Sequence, residues 1–241
     1  MQRYFIQTNQ LHDHEIIIDG SDVHHIKNVM RMNIGDQILC TDEDHHTYRV
    51  QIKAIGAVVH TSILEQIIEQ TELSVRITIA QGIISRDKTE EVIKRLSELG
   101  VSSYLPVAMK RSKFRLDQAK FERFHKIIKE ACEQSQRNTL MILQNPVAFE
   151  ALETIGSTFD DKFVAHVDTS MFLARVLPPK GIKNILFVIG PEGGFDSQEL
   201  TQLQSWGYKI VHLGSRVLRT ETAPLYIASI CGYVYGENDA N

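Results

Sequence analysis

The sequence predicts an α/β protein in two parts, a small β-barrel followed by a parallel sheet flanked by helices. Three observations carry this. Residues 1–70 read as short strands separated by turns. From Leu73 onward, apolar runs alternate with helical segments, the pattern of a parallel sheet with crossover helices. Two late apolar runs, Asn184–Ile189 and Lys209–Leu213, each end in a glycine-bearing loop that opens a helix. Such loops at the carboxyl ends of buried strands let backbone groups approach a ligand.

In the first part, Glu15–Asp19 reads as a strand, and Ser21–Arg31 as a short helix capped by Ser21 or Asp22. The turn Asn33–Asp36 leads into a strand over Gln37–Thr41. Asp42–Asp44 is a second turn, before the alternating run Thr47–Ile55. Several short strands plus one helix suggest a small barrel. In the second part, Val75–Ala80 is a strand. Lys88–Leu99 is an amphipathic helix with Val92, Leu96 and Leu99 on one face and Gly100 just past its end. Val101–Val107 and Asp161–Val167 read as strands, Asp117–Gln134 as a long basic helix, and Pro178–Gly181 as a surface turn. The Ser197–Trp206 helix and a last helix from about Glu221 complete the alternation. The change of pattern divides the chain into residues 1–70 and 71–241. Periodicity alone gives an unknotted, doubly wound sheet, because chains rarely thread their own loops.

The composition is that of a globular protein: 43% hydrophobic and 23% charged residues. No apolar run approaches the length of a membrane span, and Met1–Ile6 lacks the apolar core of a signal peptide. Three cysteines, far apart and odd in number, argue for a reducing cytosol rather than a disulfide framework or a zinc site. The paired histidines at 12/14, 24/25 and 45/46 lack the companions of a metal site, so no metal is expected. The net charge of −4 is uneven. Residues 1–70 hold 5 basic and 10 acidic side chains, whereas residues 109–137 hold 9 basic and 4 acidic. That strip fits a polyanion or a solvated helix face.

The first loop, Ile189-Gly190-Pro191-Glu192-Gly193-Gly194-Phe195, is neither a dinucleotide fingerprint nor a P-loop, so a phosphate site is not supported. The second, Leu213-Gly214-Ser215-Arg216-Val217-Leu218-Arg219-Thr220-Glu221-Thr222-Ala223, places Thr and Glu where they could cap a helix, and two arginines beside a glycine turn. Together they suggest one pocket built mostly from main chain.

These two loops resemble the cofactor motifs of the RsmE family of small-subunit ribosomal RNA uracil-N3 methyltransferases, in the SPOUT superfamily. His24–Arg31 with Gly35-Asp36, Lys88 with Glu98-Leu99-Gly100, and Glu133-Gln134-Ser135 with Arg137 resemble its other motifs. The likeness runs nearly the whole length. It departs at Asn138–Met141, where the family has a proline soon after the arginine.

The resemblance implies a PUA-like RNA-binding barrel, a SPOUT domain with a C-terminal trefoil knot, and a homodimer in the cytoplasm. It implies S-adenosyl-L-methionine held by Ile189, Gly190, Glu192, Gly193, Gly194, Leu213, Gly214, Leu218, Thr222 and Ala223. Uracil N3 must lose a proton before it can accept a methyl group. Arg219 is the candidate for stabilising the charge that develops, and Glu221 for taking the proton. Candidate RNA contacts are Arg3, Lys27, Arg31, Lys110, Arg111, Lys113, Arg115 and Arg137. Two competing readings are a SPOUT enzyme acting at another RNA position and a non-catalytic RNA-binding assembly factor. The second would have no need of Arg219, Glu221 and Thr222.

Overall fold

The computed structural model describes residues 1–236 apart from 115, 117 and 180. The chain forms two compact units. One is Met1–Thr71 with Cys132–Thr139, and the other is Glu72–Ala131 with Leu140–Asn241.

The first unit is a five-stranded sheet of β1 (Arg3–Phe5), β2 (Glu15–Ile18), β3 (Gln37–Thr41), β4 (Thr47–Ile55) and β5 (Val59–Ile67), in the order β1-β3-β4-β5-β2. Only β1 and β3 pair in parallel; the rest are antiparallel. Every strand sends residues into one core, among them Tyr4, Ile16, Ile38, Cys40, Val50, Ile52 and Val59, so the sheet curls into a half-barrel. Helix α1 (Ser21–His24) runs on into a single wider turn, His25–Val29, and closes that core with Val23 and Ile26. Strands β1 and β5 are additions to the expected set. Strand β1 is only three residues long, and β5 keeps no strict alternation of buried and exposed residues.

Arg3 corrects an expectation. It is 1% exposed, donates to the hydroxyls of Thr41 (2.9 Å) and Thr47 (3.1 Å), and pairs with Glu69. It points inward because β1 sits against β3, where Arg3 registers with Leu39. A guanidinium so enclosed braces the barrel and is closed to phosphate. Arg137, also expected to reach RNA, is 3% exposed in the segment that joins this unit. In that segment the Asn138 N–H donates to Thr71 Oγ1 (2.9 Å), and its side chain donates to the Glu69 carbonyl (3.2 Å). A proline at 138 could not make the first bond.

The second unit is an all-parallel sheet ordered β12-β10-β11-β6-β7-β8, with β9 also paired to β7. Its elements are β6 (Arg76–Gly82), α2 (Arg86–Glu98), β7 (Ser103–Ala108), α3 (Gln118–Gln134), β8 (Ile142–Leu143), β9 (Val147–Ala148), α4 (Ala151–Gly156), β10 (Asp161–Ala165), α5 (Leu173–Val176), β11 (Asn184–Ile189), α6 (Ser197–Ser205), β12 (Lys209–Val211) and α7 (Thr222–Tyr235). The last turn of α3 belongs to the first unit. The central strands read as continuous apolar runs because both faces are covered; Ile185–Val188 are all 0% exposed. Helix α2 stops where the sequence says it should. Gly100 takes φ +79°, its N–H bonds Ser97, and the Val101 N–H bonds Leu96, a Schellman end. Strand β12 stops two residues short of the expected Leu213, because the chain must turn there toward the middle of the sheet. The expected start of α3 at Asp117, and Lys180 in the Pro178–Gly181 turn, lie outside the described residues.

Strand β6 lies between β7 and β11, so the chain leaves it toward one side and returns on the other. A crevice at the strand ends is expected at such a switch point. Gly82 ends β6 there. A Cβ at this position would meet Pro191 Cδ at 2.5 Å and Met109 Sδ at 3.0 Å, so the first loop can seat only over a glycine. Replacing Gly82 by Ala is expected to destabilise the protein by about 1–3 kcal/mol, the usual cost of forcing extra volume into a packed site. Denaturant unfolding should show a lower midpoint with an unchanged slope.

Two aspartates place an acid limit on this unit. Asp160 accepts from the N–H groups of Lys183 and Asn184, and Asp196 from Lys110 and the N–H of Gln198. These bonds hold both carboxyls below the usual aspartate range. A lowered folded value stabilises the fold fully above the unfolded value of about 3.9, and that gain is lost as pH falls through the lower folded value. The double variant Asp160→Asn, Asp196→Asn should therefore show a flatter acid limb in stability against pH than the wild type.

Candidate active site

The site forms at the C-terminal edge of the parallel sheet. The first loop leaves β11, and its Gly194 N–H closes a turn on the Pro191 carbonyl (2.8 Å). Gly194 takes φ +69°, and Phe195, 6% exposed, folds back beneath Gly190. Helix α6 then starts with a capping box. The Asp196 side chain accepts from Gln198 N (3.2 Å), and Glu199 accepts from Asp196 N (2.8 Å). Glu199, 5% exposed, also accepts the Lys110 N–H at 2.8 Å, which fastens the turn after β7 to the start of α6. Arg111 donates to the Gly193 carbonyl (3.2 Å).

The second loop leaves β12, two strands away from β11, and travels back over the ends of β10 and β11. Thr220 marks its arrival. Its hydroxyl donates to the Gly190 carbonyl at 2.6 Å. The buried amide of Gln81, on β6, donates to the Thr220 carbonyl (2.7 Å) and to Thr220 Oγ1 (3.1 Å), and accepts from the Tyr104 hydroxyl (3.0 Å).

A second bridge is ionic. Lys88, on α2, lies 2.7 Å from Glu192 of the first loop and 3.4 Å from Glu221 of the second. Its hydrogen bond to Glu192 raises its pKa, so it stays cationic. Arg219 stands 4.0 Å from Glu221 with its side chain 86% exposed. Glu221 precedes α7 but its side chain caps nothing; it turns its buried Oε2 toward Lys88.

The structure thus brings together Gly190, Glu192, Arg219 and Glu221, with Thr220 between them. Ile189 is the last residue of β11, and Leu213, Gly214 and Leu218 lie half-buried along the second loop. Thr222 opens α7, exposed, and Ala223 behind it is buried. Of the expected RNA contacts, Lys27 and Arg31 are exposed on the first unit, and Lys110, Arg111 and Lys113 on the second. Arg115 lies outside the described residues. Among the described residues, no group of three or more His, Cys, Asp or Glu side chains could hold a metal ion.

Local sequence rules give Gln81 and Tyr104 no place in the site, Thr220 a place only as part of the second loop, and Lys88 only as part of a motif. Gln81 did leave a signal. A polar amide inside the run Ile77–Ile84 must find partners, because a buried amide without hydrogen bonds is costly.

The loops suit a ligand gripped by main chain. A Cβ built on Gly194 or Gly214 meets nothing within 4 Å. Among the described residues, the N–H groups of Ser215–Leu218 donate to no main-chain carbonyl. Glu192 and Glu221 add one carboxylate from each loop, both turned to Lys88.

Comparison with known proteins gives the class and then the family. Residues 71–232 match the RNA methyltransferase domain, and residues 18–57 match the RNA methyltransferase PUA domain. The ribosomal RNA small subunit methyltransferase E of Bacillus subtilis (strain 168) is 38% identical over 97% of this chain and 96% of its own length. The Neisseria gonorrhoeae ribosomal RNA small subunit methyltransferase E, solved bound to S-adenosyl methionine, superposes with a TM-score of 0.89 at 28% identity, covering 98% of each chain. A Legionella pneumophila methyltransferase in complex with bound S-adenosylmethionine gives a TM-score of 0.87 at 26% identity over 96% of each chain. The chain belongs to the ribosomal RNA small subunit methyltransferase E family.

Proposed function

We propose that this protein methylates N3 of a uridine in small-subunit ribosomal RNA, using S-adenosylmethionine. The observation that carries this is the joining of the two glycine loops at Gly190 and Thr220, in a chain 38% identical, nearly end to end, to a small subunit methyltransferase E. In this reading residues 1–70 are the RNA-binding PUA-like domain and residues 71–241 the catalytic SPOUT domain. By family likeness the second loop would thread into a trefoil knot, and its bond from Thr220 to Gly190 supports that reading. By family likeness the protein works as a homodimer in the cytoplasm, where ribosomal RNA is its partner. Among the described residues, no helix is long and apolar enough to cross a membrane.

The residues that would hold the cofactor are Ile189, Gly190, Glu192, Gly193, Gly194, Leu213, Gly214, Leu218, Thr222 and Ala223. When bound, S-adenosylmethionine supplies an electrophilic methyl group on a sulfonium. The chain itself must bring N3 into line, remove its proton and stabilise the negative charge that spreads to O2 and O4. Arg219 suits the last task, since its guanidinium is exposed and next to the loop. Glu221 suits proton removal, because its carboxylate stands between Lys88 and Arg219 beside the first loop. Lys88 keeps that carboxylate turned toward the first loop.

An N3 methyl group blocks the Watson–Crick edge, so reverse transcriptase should stop one nucleotide short of the modified uridine. Cells lacking the protein should lose one stop in small-subunit ribosomal RNA, and cells carrying Arg219→Ala should lose it too. The purified Arg219→Ala protein should still bind S-adenosylmethionine by calorimetry. Identical stop maps would reject the function, and normal turnover by the variant would reject the role of Arg219.

Lys110, Arg111 and Lys113, with Lys27 and Arg31, are proposed to meet phosphate. Binding of the RNA should then weaken steeply with salt. Replacing Lys113 by Ala should reduce the logarithmic salt slope by about one unit, as removal of one phosphate contact does.

A further inference from the structure

The bonds around Gln81 have forced directions. The carbonyls of Thr220 and Gly190 can only accept. The single hydroxyl proton of Thr220 therefore goes to Gly190, 2.6 Å away, and Oγ1 is left to accept. Its donor is the Gln81 amide nitrogen, 3.1 Å away, which also donates to the Thr220 carbonyl at 2.7 Å. The amide oxygen must then face Tyr104, whose hydroxyl donates to it at 3.0 Å. Burial pushes the Tyr104 phenol up, so that proton stays in place. Reversing any member would set two acceptors or two donors face to face.

Packing does not require an amide at this position. Ile79 and Ile83 fill the same strand and its extension with apolar side chains, and Gln81 is paired in register with Ile189. An aliphatic residue at 81 would suit the sheet but would leave Thr220 without its donor. What the amide adds is a fixed distance between a loop that leaves β11 and a loop that returns from β12.

We infer that Gln81, a member of neither cofactor loop, is the positioning residue that sets their separation and thereby the affinity for S-adenosylmethionine. This deepens the methyltransferase reading and rests on it.

The test uses the full-length protein and calorimetric titration with S-adenosylmethionine. In Gln81→Glu the ionised carboxylate can accept from Tyr104 but cannot donate to Thr220. Affinity should fall roughly 10- to 100-fold at about pH 8.5, the range for leaving a buried acceptor unpaired. A buried carboxyl takes up a proton at higher pH than usual, so by about pH 6 it should regain a donor and recover most of that affinity. Gln81→Met should bind weakly at both values, and the wild type tightly at both. A purely structural role would lower the thermal midpoint of both variants with no recovery of binding on acidification. That result, or wild-type affinity in Gln81→Glu at both pH values, would overturn the inference. Should the Gln81 variants fail to fold, Thr220→Ser, which keeps the hydroxyl, is expected to bind as the wild type does, and Thr220→Val to bind weakly. Equal binding by those two would overturn it. Absence of binding by the wild type would reject the methyltransferase reading instead.

Discussion

The hydrogen bond from the Thr220 hydroxyl to the Gly190 carbonyl, 2.6 Å long, joins two loops whose parent strands are not neighbours. Much of the second unit serves to make that bond possible. The chain leaves β12 at the sheet edge and must recross β10 before it reaches Gly190 at the end of β11. Gln81 holds it on arrival, from the strand on the far side of β11. Gly82 clears room for Pro191, so that the first loop lies low enough to be reached. A buried network of this kind must be satisfied throughout or it destabilises the site, and here every member has its partner.

The ionic contacts around the loops work differently. Glu192, Glu221 and Asp196 face Lys88, Lys110 and Arg111, and each of those cations is at least a third exposed. Exposed pairs add little to stability, so their significance is in direction rather than strength. Lys88 turns one carboxylate from each loop toward the same point. Lys110 and Arg111 fix the turn after β7 against the start of α6 while leaving much of their charge in solvent. The Lys110 N–H bond to Glu199 does the holding, because its acceptor carboxylate is buried and its donor is main chain.

Much of the second unit could be read in the sequence, and for physical reasons. Apolar runs such as Asn184–Ile189, a Gly at 100, and Asp196 followed by Glu199 each answer a local rule of strand, cap or turn. Strand order does not, since nothing in Lys209–Val211 says that it lies two strands from β11. The bonds of Tyr104 and Thr220 escape local rules for the same reason: their partners are 23 and 30 residues away. Arg3 misled because an arginine near a terminus is ordinarily solvated. Only the pairing of β1 with β3 and the presence of Glu69 make its burial tolerable.

That burial changes how the first unit can meet a polyanion. A guanidinium enclosed by Thr41, Thr47 and Glu69 has its charge answered locally, and Arg137 is likewise sequestered. The unit remains rich in carboxylates, so phosphate would be repelled from most of its surface. The exception is the stretch from Lys27 to Ile34. There Lys27 and Arg31 are exposed beside Val29 (57%), Met30 (44%) and Ile34 (68%). Arg31 also takes φ +52°, a left-handed conformation that costs a residue with a Cβ. Cations held beside exposed apolar side chains suit a nucleic acid, which offers phosphate and base faces together. The RNA footprint proposed for this unit therefore narrows from three scattered arginines and a lysine to one short segment after α1.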